Sequence, residues 1–537
     1  MSKKYPALDK DIFWRLIEIS TALSSERNKA RLFEKILDAA QDITHADGGT
    51  LYLLQEKDGK PVLEFEIMRN NSLKLTLGGT SGRPIPFAPL ALYRDDGTPN
   101  HNNIATHTAL TKNVENIEDA YYAKHLDFSG TKAFDTRANY RSKSFLTTPL
   151  CNHADEVIGV LQLVNAKDPL TGETITFSEE LEPIVAALSS SVAIALENQI
   201  LLQDHKNLLD AFVQVIAQAI DAKSSHTSAH CQRVPVLTEL IAQAACEAQE
   251  GALKDFDLDE GDWYELRVAS WLHDCGKLAT PDYLLDKATK LHLLNDGIET
   301  VKARFAALIA HTELNYYKKI IAEPTQEQRL TEEMHSQLNV LKEQCVFIEK
   351  ANKGGEFMSE EAKQTVRTIA ACRWQDHLGV EQPMLTEQEI AFLCIERGTI
   401  SFDERQKIND HMKVTIQMLE SLPFPKNLKR VPEYAGGHHE KMDGTGFPKG
   451  LKREEMSWPA RMMAIADIFE ALTASERPYK PAMKISQALS ILQRMRDQNH
   501  IDGDLYQLFL RGRVWQKYAS RFLRAEQLDV EDYAAYV

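Results

Sequence analysis

Close cysteine pairs are missing from this sequence. Its seven cysteines, Cys151, Cys231, Cys246, Cys275, Cys345, Cys372 and Cys394, are scattered along the chain, which argues against a disulfide framework or a zinc knuckle and fits buried, reduced thiols. Positive charge is also in deficit: 62 Lys and Arg against 78 Asp and Glu leave a formal net charge of −16. That balance argues against the large phosphate-neutralising surface polymer nucleic acid requires, so any nucleotide ligand is expected to be small and locally recognised. No window reaches the roughly 18 uninterrupted apolar residues of a membrane span. The opening MSKKYPALDK has no apolar core of signal-peptide length. A cytoplasmic protein without membrane insertion is expected. Low-complexity stretches and fixed-period repeats are lacking as well, so disorder is not the default.

What is present is a chain of 537 residues, longer than one hydrophobic core usually holds, and two to four domains are expected. From about Phe13 to Thr44 apolar residues recur at helical spacing. Thr50 to Leu54 and Val62 to Phe65 then read as strands around a Lys57-Asp58-Gly59-Lys60 turn. Ser144 to Leu150 and Val157 to Asn165 read as later strands of the same sheet, joined at His153-Ala154-Asp155, and the second is apolar enough to be central. After Phe177 the pattern turns helical and runs with few breakers through Ile220, which predicts a connecting helix.

The segments ADGGTLYLL (46 to 54), FDTRANYRSKSFLTTPL (134 to 150) and VIGVLQLVNAK (157 to 167) resemble a GAF domain, over about residues 12–200. The resemblance implies an α+β sensor with an antiparallel sheet and flanking helices, binding an unknown small molecule or nothing. It also implies a signalling helix (180–222) that pairs with its twin in a homodimer. Asn165-Ala166-Lys167 followed by Phe177 only partly matches the Asn-Lys-Phe-Asp-Glu pattern of cyclic-nucleotide-binding members. An ordinary amphipathic helix is the alternative to a coiled coil, because the apolar spacing is not a clean heptad.

Histidine and aspartate stand out in the second half, inside helical patterns: His230, His273-Asp274, His411, His438-His439 and Asp467. Imidazole and carboxylate suit divalent transition metals, and an Asp with two oxygens can bridge two ions. With no Cys among these candidates, iron or manganese is favoured over structural zinc. Singly, each His is as readily a surface or core residue. The surrounding segments WLHDCGKLATPDYLLDKATKL (271 to 291), INDHMKVTIQMLESLP (408 to 423), HHEKMDGTGFPKGL (438 to 451) and ARMMAIADIFEALTASERPYK (460 to 480) resemble the HD-GYP phosphodiesterases. HTSAHCQRV (226 to 234) supplies that family's opening His230 and Arg233.

This resemblance covers about residues 205–500. It implies an all-helical bundle in which one metal is held by His230, His273, Asp274 and Asp467 and the other by Asp274, His411, His438 and His439. Two ions about 3.5–4 Å apart acidify water and stabilise charge on a phosphate, which is the chemistry a phosphodiester bond requires. The implied substrate is cyclic di-GMP, opened to pGpG with onward cleavage to GMP left open, with Asp274 bridging the metals and Lys277 neutralising a phosphate oxygen. Arg233, Arg477 and Lys480 are expected at the substrate. So is the loop Asp443-Gly444-Thr445-Gly446-Phe447-Pro448, whose glycines permit close backbone approach. Contacts with diguanylate cyclases are also admitted. The loop departs from the family pattern at Phe447, where a Tyr is usual, so contacts of that hydroxyl are lost while ring stacking is kept.

Three points stay open. His226, four residues before His230, is either a third-metal ligand or an aromatic substitute, so the count is two or three ions. The span from about 301 to 396 exceeds what compact members need and reads as a helical insertion broken at Gly354-Gly355; it contains His311, a rival to His411, which sits in the better-matching segment. A helical tail is expected over 501–537. The function alternatives are a non-catalytic cyclic di-GMP receptor, another HD-type hydrolase, which His438-His439 and the loop oppose, and a phosphodiesterase for cyclic GMP-AMP.

Overall fold

The computed structural model describes residues 10–537 apart from 27, 125, 224–229, 356 and 475–481. The chain divides into two compact units, Met1–Leu208 and Leu209–Val537.

The first unit opens with α1 (Lys10–Ser25) and α2 (Lys29–Thr44). The single helical run read from sequence is therefore two helices, because Asn28 leaves the helix and its side chain accepts the Arg31 amide as an N-cap. The strands follow as β1 (Ala46–Lys57), β2 (Lys60–Asn70), β3 (Leu75–Gly78), β4 (Leu90–Ala91), β5 (Glu115–Ile117), β6 (Phe145–Cys151), β7 (Val157–Lys167) and β8 (Thr174–Ile175). They form an antiparallel sheet in the order β3-β2-β1-β7-β6-β5, with β4 on β2 and β8 on β7. Asp58 and Gly59, both at positive φ, close the β1–β2 hairpin, the turn chemistry a two-residue connection needs. As its apolar sequence requires, β7 is central, between β1 and β6.

One face of the sheet is covered by α2, whose Leu32, Phe33, Ile36 and Leu37 are buried with Leu51, Ile67, Leu161 and Leu163. The other carries α3 (Ile104–Thr111) and α4 (Ser129–Ala138). The helix α5 then runs unbroken for 42 residues, Glu182–Lys223. Its Val185, Leu188, Val192 and Leu196 belong to the core of the first unit, and its Val213, Ala217 and Ile220 to a core of the second. Counted by length and mean hydropathy rather than by uninterrupted apolar residues, Glu179–Lys223 is long and apolar enough to cross a membrane, with 44% of its most apolar window buried.

The second unit is helical. It comprises α6 (His230–Cys246), α7 (Glu260–Leu272), α8 (Asp282–Leu285), α9 (Ile298–Ala322), α10 (Glu327–Asn352), α11 (Glu360–Ala370), α12 (Glu387–Leu393) and α13 (Phe402–Asn409). Then come α14 (His411–Ser421), α15 (Val431–Gly436), α16 (Trp458–Thr473), α17 (Ile485–Asp497), α18 (Gly503–Arg511) and α19 (Val514–Phe522). A short ribbon of β9 (Arg373–Gln375) and β10 (Glu381–Pro383) adds the only strands described in this unit. The segment after 500 packs inward: Tyr506, Phe509, Trp515 and Tyr518 share one core with Leu237, Ile241, Met462 and Phe469. Residues 298–393 build a core of their own around Val301, Phe305, Ile348, Val366 and Leu393.

Candidate metal centre

Five separate elements aim side chains at one point. His230 opens α6, His273 and Asp274 follow the last turn of α7, His411 opens α14, His438 and His439 follow α15, and Asp467 lies within α16. Local chemistry sets each start: Asp259 and Asp262 form a capping box on α7, and Ser457 caps α16 with Pro459 in its first turn. Gly276 permits the closest approach. A Cβ there would lie 2.0 Å from the carbonyl oxygen of His411, and its amide donates to Thr415 Oγ1 at 2.9 Å. Only glycine lets the turn after Asp274 press against α14.

The result is two four-residue groups that share Asp274: His230, His273, Asp274 and Asp467, and Asp274, His411, His438 and His439, with candidate ligand atoms in each within 4.8 Å of one another. Asp274 divides its oxygens between them. Its Oδ2 is 3.2 Å from His273 Nε2 and 3.5 Å from His230 Nε2, whereas Oδ1 is 3.2 Å from His411 Nε2 and 3.9 Å from His438 Nε2. Asp467 Oδ1 lies 3.2 Å from His230 Nε2.

The outer nitrogens of four of these rings are already engaged. Nδ1 donates to the carbonyl of Ser270 from His273, of Ile408 from His411 and of Ala435 from His438, at 2.8, 2.5 and 2.7 Å. His230 Nδ1 meets Glu470 Oε2 at 2.5 Å. A carbonyl can only accept, so in His273, His411 and His438 Nδ1 carries the proton and Nε2 presents a lone pair inward. The Nε2 atoms of His230, His273, His411 and His438, with Asp274 Oδ1, are buried and have no hydrogen-bond partner among the described residues. Orphaned acceptors packed this densely are costly unless a cation satisfies them. The residues therefore fit divalent metal ions.

Electrostatics agree at His438 and His439, whereas burial opposes charge on His230 but Asp274, Asp467 and Glu470 outweigh it and hold that ring well above the usual histidine range. Burial, reinforced by the neighbouring His439 and His273, holds His438 well below the usual histidine range, and burial brings His439 down to about 4; both are neutral near pH 7. Burial alone would raise the Asp274 carboxyl, but the Lys277 ammonium and the surrounding imidazoles outweigh it and hold it well below the usual carboxylate range. For Lys277, burial opposes the charge and Asp274 and Asp467 restore it.

Comparison with known proteins locates this constellation. The HD domain family matches residues 385–505, which include His411, His438, His439 and Asp467. The GAF domain family matches residues 28–196. The chain carries a GAF domain followed by an HD domain. Several of its curated relatives are cyclic dinucleotide phosphodiesterases. The 3′3′-cGAMP-specific phosphodiesterase 3 of Vibrio cholerae is 26% identical over 54% of this chain and 37% of its own length. The 3′3′-cGAMP-specific phosphodiesterase 1 of the same organism is 34% identical over 23% of this chain and 25% of its own. A cyclic di-GMP phosphodiesterase of Pseudomonas aeruginosa is 41% identical over 14% of this chain and 17% of its own. The chain thus spans well under half the length of each of these relatives.

Beside the two ligand groups the second unit opens a cavity of about 600 Å³, lined among others by His230, Lys277, His439 and Asp467. Lys277 Nζ sits 2.5 Å from Asp274 Oδ2. Arg233, expected at the substrate, is not among the lining residues; its Nε donates to Glu470 Oε1 at 2.7 Å. The loop 443–448 does not line the cavity either. Asp443 turns back on Thr445, and Phe447 reaches the centre by stacking on His439. His311 lies within α9 and belongs to neither ligand group. His226, Arg477 and Lys480 lie outside the described residues.

Glu470 and Thr415 are the residues that sequence reasoning passed over. Glu470 follows Asp467 by three positions on α16 and so shares its face, a spacing that could have pointed to it. Thr415 carries no comparable signal.

The GAF domain has a cavity of about 390 Å³ on the sheet face opposite α2. Phe65, Phe87 and Phe134 form an aromatic chain along it, with successive ring centroids 5.6 and 6.2 Å apart, and Arg69 and Arg137 also line it. Asn165 is structural: its amide oxygen accepts from Lys143 and Ser144 backbone, and its nitrogen donates to Tyr140 Oη and the Arg141 carbonyl.

Proposed function

We propose that the protein is a metal-dependent cyclic dinucleotide phosphodiesterase acting on cyclic di-GMP and controlled by its GAF domain. The observation that carries this reading is the division of the Asp274 carboxylate between two ligand groups, four of whose inward imidazole nitrogens have no hydrogen-bond partner among the described residues. Two or three iron or manganese ions held there by His230, His273, Asp274, His411, His438, His439 and Asp467 would acidify water and stabilise charge on the reacting phosphate.

The chain's own residues supply the rest. Backbone carbonyls of Ser270, Ile408 and Ala435 hold three imidazoles in the tautomer that leaves Nε2 free. Lys277 keeps its proton beside Asp274 and lines the cavity, so its ammonium hydrogen-bonds a non-bridging phosphate oxygen as charge develops there. The cavity volume lies in the range of small-molecule sites. The product is the linear pGpG, with GMP as a further product.

In the same reading, 12–200 is the sensor, 180–222 couples it to a phosphodiesterase domain over 205–500 with an insertion at 301–396, and the protein works as a cytoplasmic homodimer. The aromatic GAF cavity takes a small, largely apolar ligand bearing an acidic group for Arg69 or Arg137. Contacts with diguanylate cyclases belong to this reading as well. A second substrate reading, 3′3′-cGAMP, is favoured by the two Vibrio relatives named for it.

The test is anaerobic purification, quantification of bound iron and manganese, and incubation of wild type and Asp274→Ala with cyclic di-GMP and with 3′3′-cGAMP. Metal-dependent linear product that disappears in the variant supports the reading. Tight cyclic di-GMP binding without turnover at full metal loading would make the protein a receptor.

A further inference from the structure

The segment after the His273-Asp274 motif is tied to the middle of the 301–396 insertion, beside its Gly354-Gly355 break, and to the residues at and just past the insertion's C-terminal end. The Lys290 amide donates to the Asn352 carbonyl at 2.9 Å, and the Asn352 side chain accepts the Leu291 amide and donates to Asp296. Lys290 Nζ, in a residue 1% exposed, donates to the carbonyls of Leu393 and Ile395, each at 2.8 Å. Thr399 Oγ1 donates to the Lys287 carbonyl at 2.9 Å, and Lys287 Nζ pairs with Glu404 at 2.6 Å. These two places also touch each other, since a Cβ on Gly354 would lie 2.7 Å from the Gly398 carbonyl oxygen. Buried, satisfied polar networks of this kind specify one arrangement.

What they hold in place is a wall of the metal-centre cavity. Lys353, Gly354 and Gly355 from the break in the insertion, and Gly398, Thr399 and Arg405 from just past it, line the same space as His230, Lys277, His439 and Asp467. Of the four cationic side chains in that lining, Lys277 is paired with Asp274 and Lys287 with Glu404. No hydrogen bond or ion pair engages the side chain of Lys353 or Arg405 among the described residues, and both residues are exposed to the cavity's solvent. The net charge of −16 makes two unpaired cations in one cavity a local exception.

A cyclic dinucleotide carries two phosphodiesters on opposite sides of its macrocycle, and one metal centre can engage only one of them for cleavage. The other keeps its negative charge on entering the cavity and needs a cationic partner there. We infer that Lys353, beside the break in the insertion, and Arg405, on α13 just past it, hold this second phosphate and so position the first at the Asp274 centre. The inference rests on the phosphodiesterase reading above. It makes the insertion part of the substrate site and a determinant of preference for substrates with two phosphates.

The test is steady-state kinetics of the full-length, metal-loaded protein and of Lys353→Met, Arg405→Met and the double variant. Cyclic di-GMP and 3′3′-cGAMP would be compared with bis(p-nitrophenyl) phosphate, which has one phosphodiester. Loss of one charge-assisted contact is expected to raise KM for the cyclic dinucleotide about tenfold per substitution, while hydrolysis of bis(p-nitrophenyl) phosphate and metal content stay at wild-type values. A KM unmoved in the double variant, or an equal loss on both kinds of substrate, overturns the inference alone. A wild type that cleaves bis(p-nitrophenyl) phosphate but neither cyclic dinucleotide overturns the substrate reading and the inference with it.

Discussion

The ring of Phe447 stacks on that of His439, with centroids 4.9 Å apart and 19° between their planes. The contact puts a loop residue directly behind one member of the second ligand group, and it uses the ring rather than any hydroxyl.

Phe447→Tyr should therefore leave metal content and kcat/KM within about twofold of wild type. Phe447→Ala frees the His439 ring, and the loss of an aromatic pair, about 0.5–1.5 kcal/mol, should lower kcat/KM roughly two- to thirteenfold. Kinetics of both variants at saturating metal check this; a Tyr variant with much higher activity would show that the missing hydroxyl matters.

Glu470 joins His230 Nδ1 to Arg233 Nε through its two carboxylate oxygens. Glu470→Gln retains the shape but gives up one acceptor and the charge. Partners of this kind are worth about 10–100-fold in metal affinity, so metal should be lost at limiting concentration and activity recovered with excess metal. The Asp274→Ala variant should show no such recovery.

Burial pushes the Cys275 thiol up to about 12, and burial likewise raises Cys231. Both should stay unmodified by a disulfide reagent at pH 8 in the folded protein and react once it is unfolded. An unfolded thiol ionises near pH 8.5, so the unfolded state loses its proton first as pH rises. The stability these thiols contribute is full below about pH 8.5 and declines toward pH 12 by about 1.4 kcal/mol per pH unit for each thiol. Urea midpoints measured between pH 7 and 11 read this decline.

Lys290→Met keeps the length of the side chain but leaves the carbonyls of Leu393 and Ile395 without their donor. Unsatisfied buried acceptors cost about 1–3 kcal/mol. The urea midpoint of the transition that includes the insertion should fall accordingly. A midpoint unchanged from wild type would show that the clamp does not hold the insertion.

Much of the fold was legible because its signals are local. The Asp58-Gly59 turn, the alternation of β1 and β2 and the apolar run of β7 each report on neighbouring residues, and the observed strands extend the expected ones by a few residues at most ends. The break between α1 and α2 was missed because apolar periodicity continues across it while Asn28 alone ends the pattern. Likewise, the inward packing of α18 and α19 depends on partners more than 200 residues earlier, such as Leu237 and Ile241.

The sequence by itself determined the inventory of the centre: five ordered segments carry every His and Asp found in the two ligand groups. These motifs are short and chemically distinctive, so they survive without knowledge of the fold. Only the tertiary structure decided which oxygen of Asp274 faces which group, that Glu470 and not substrate occupies Arg233, and that Lys353 and Arg405, 52 positions apart in the chain, line the same cavity. Those relationships are distances between segments remote in sequence. They are set by close packing and by buried polar clamps such as Lys290 and Asn352, for which no local pattern exists.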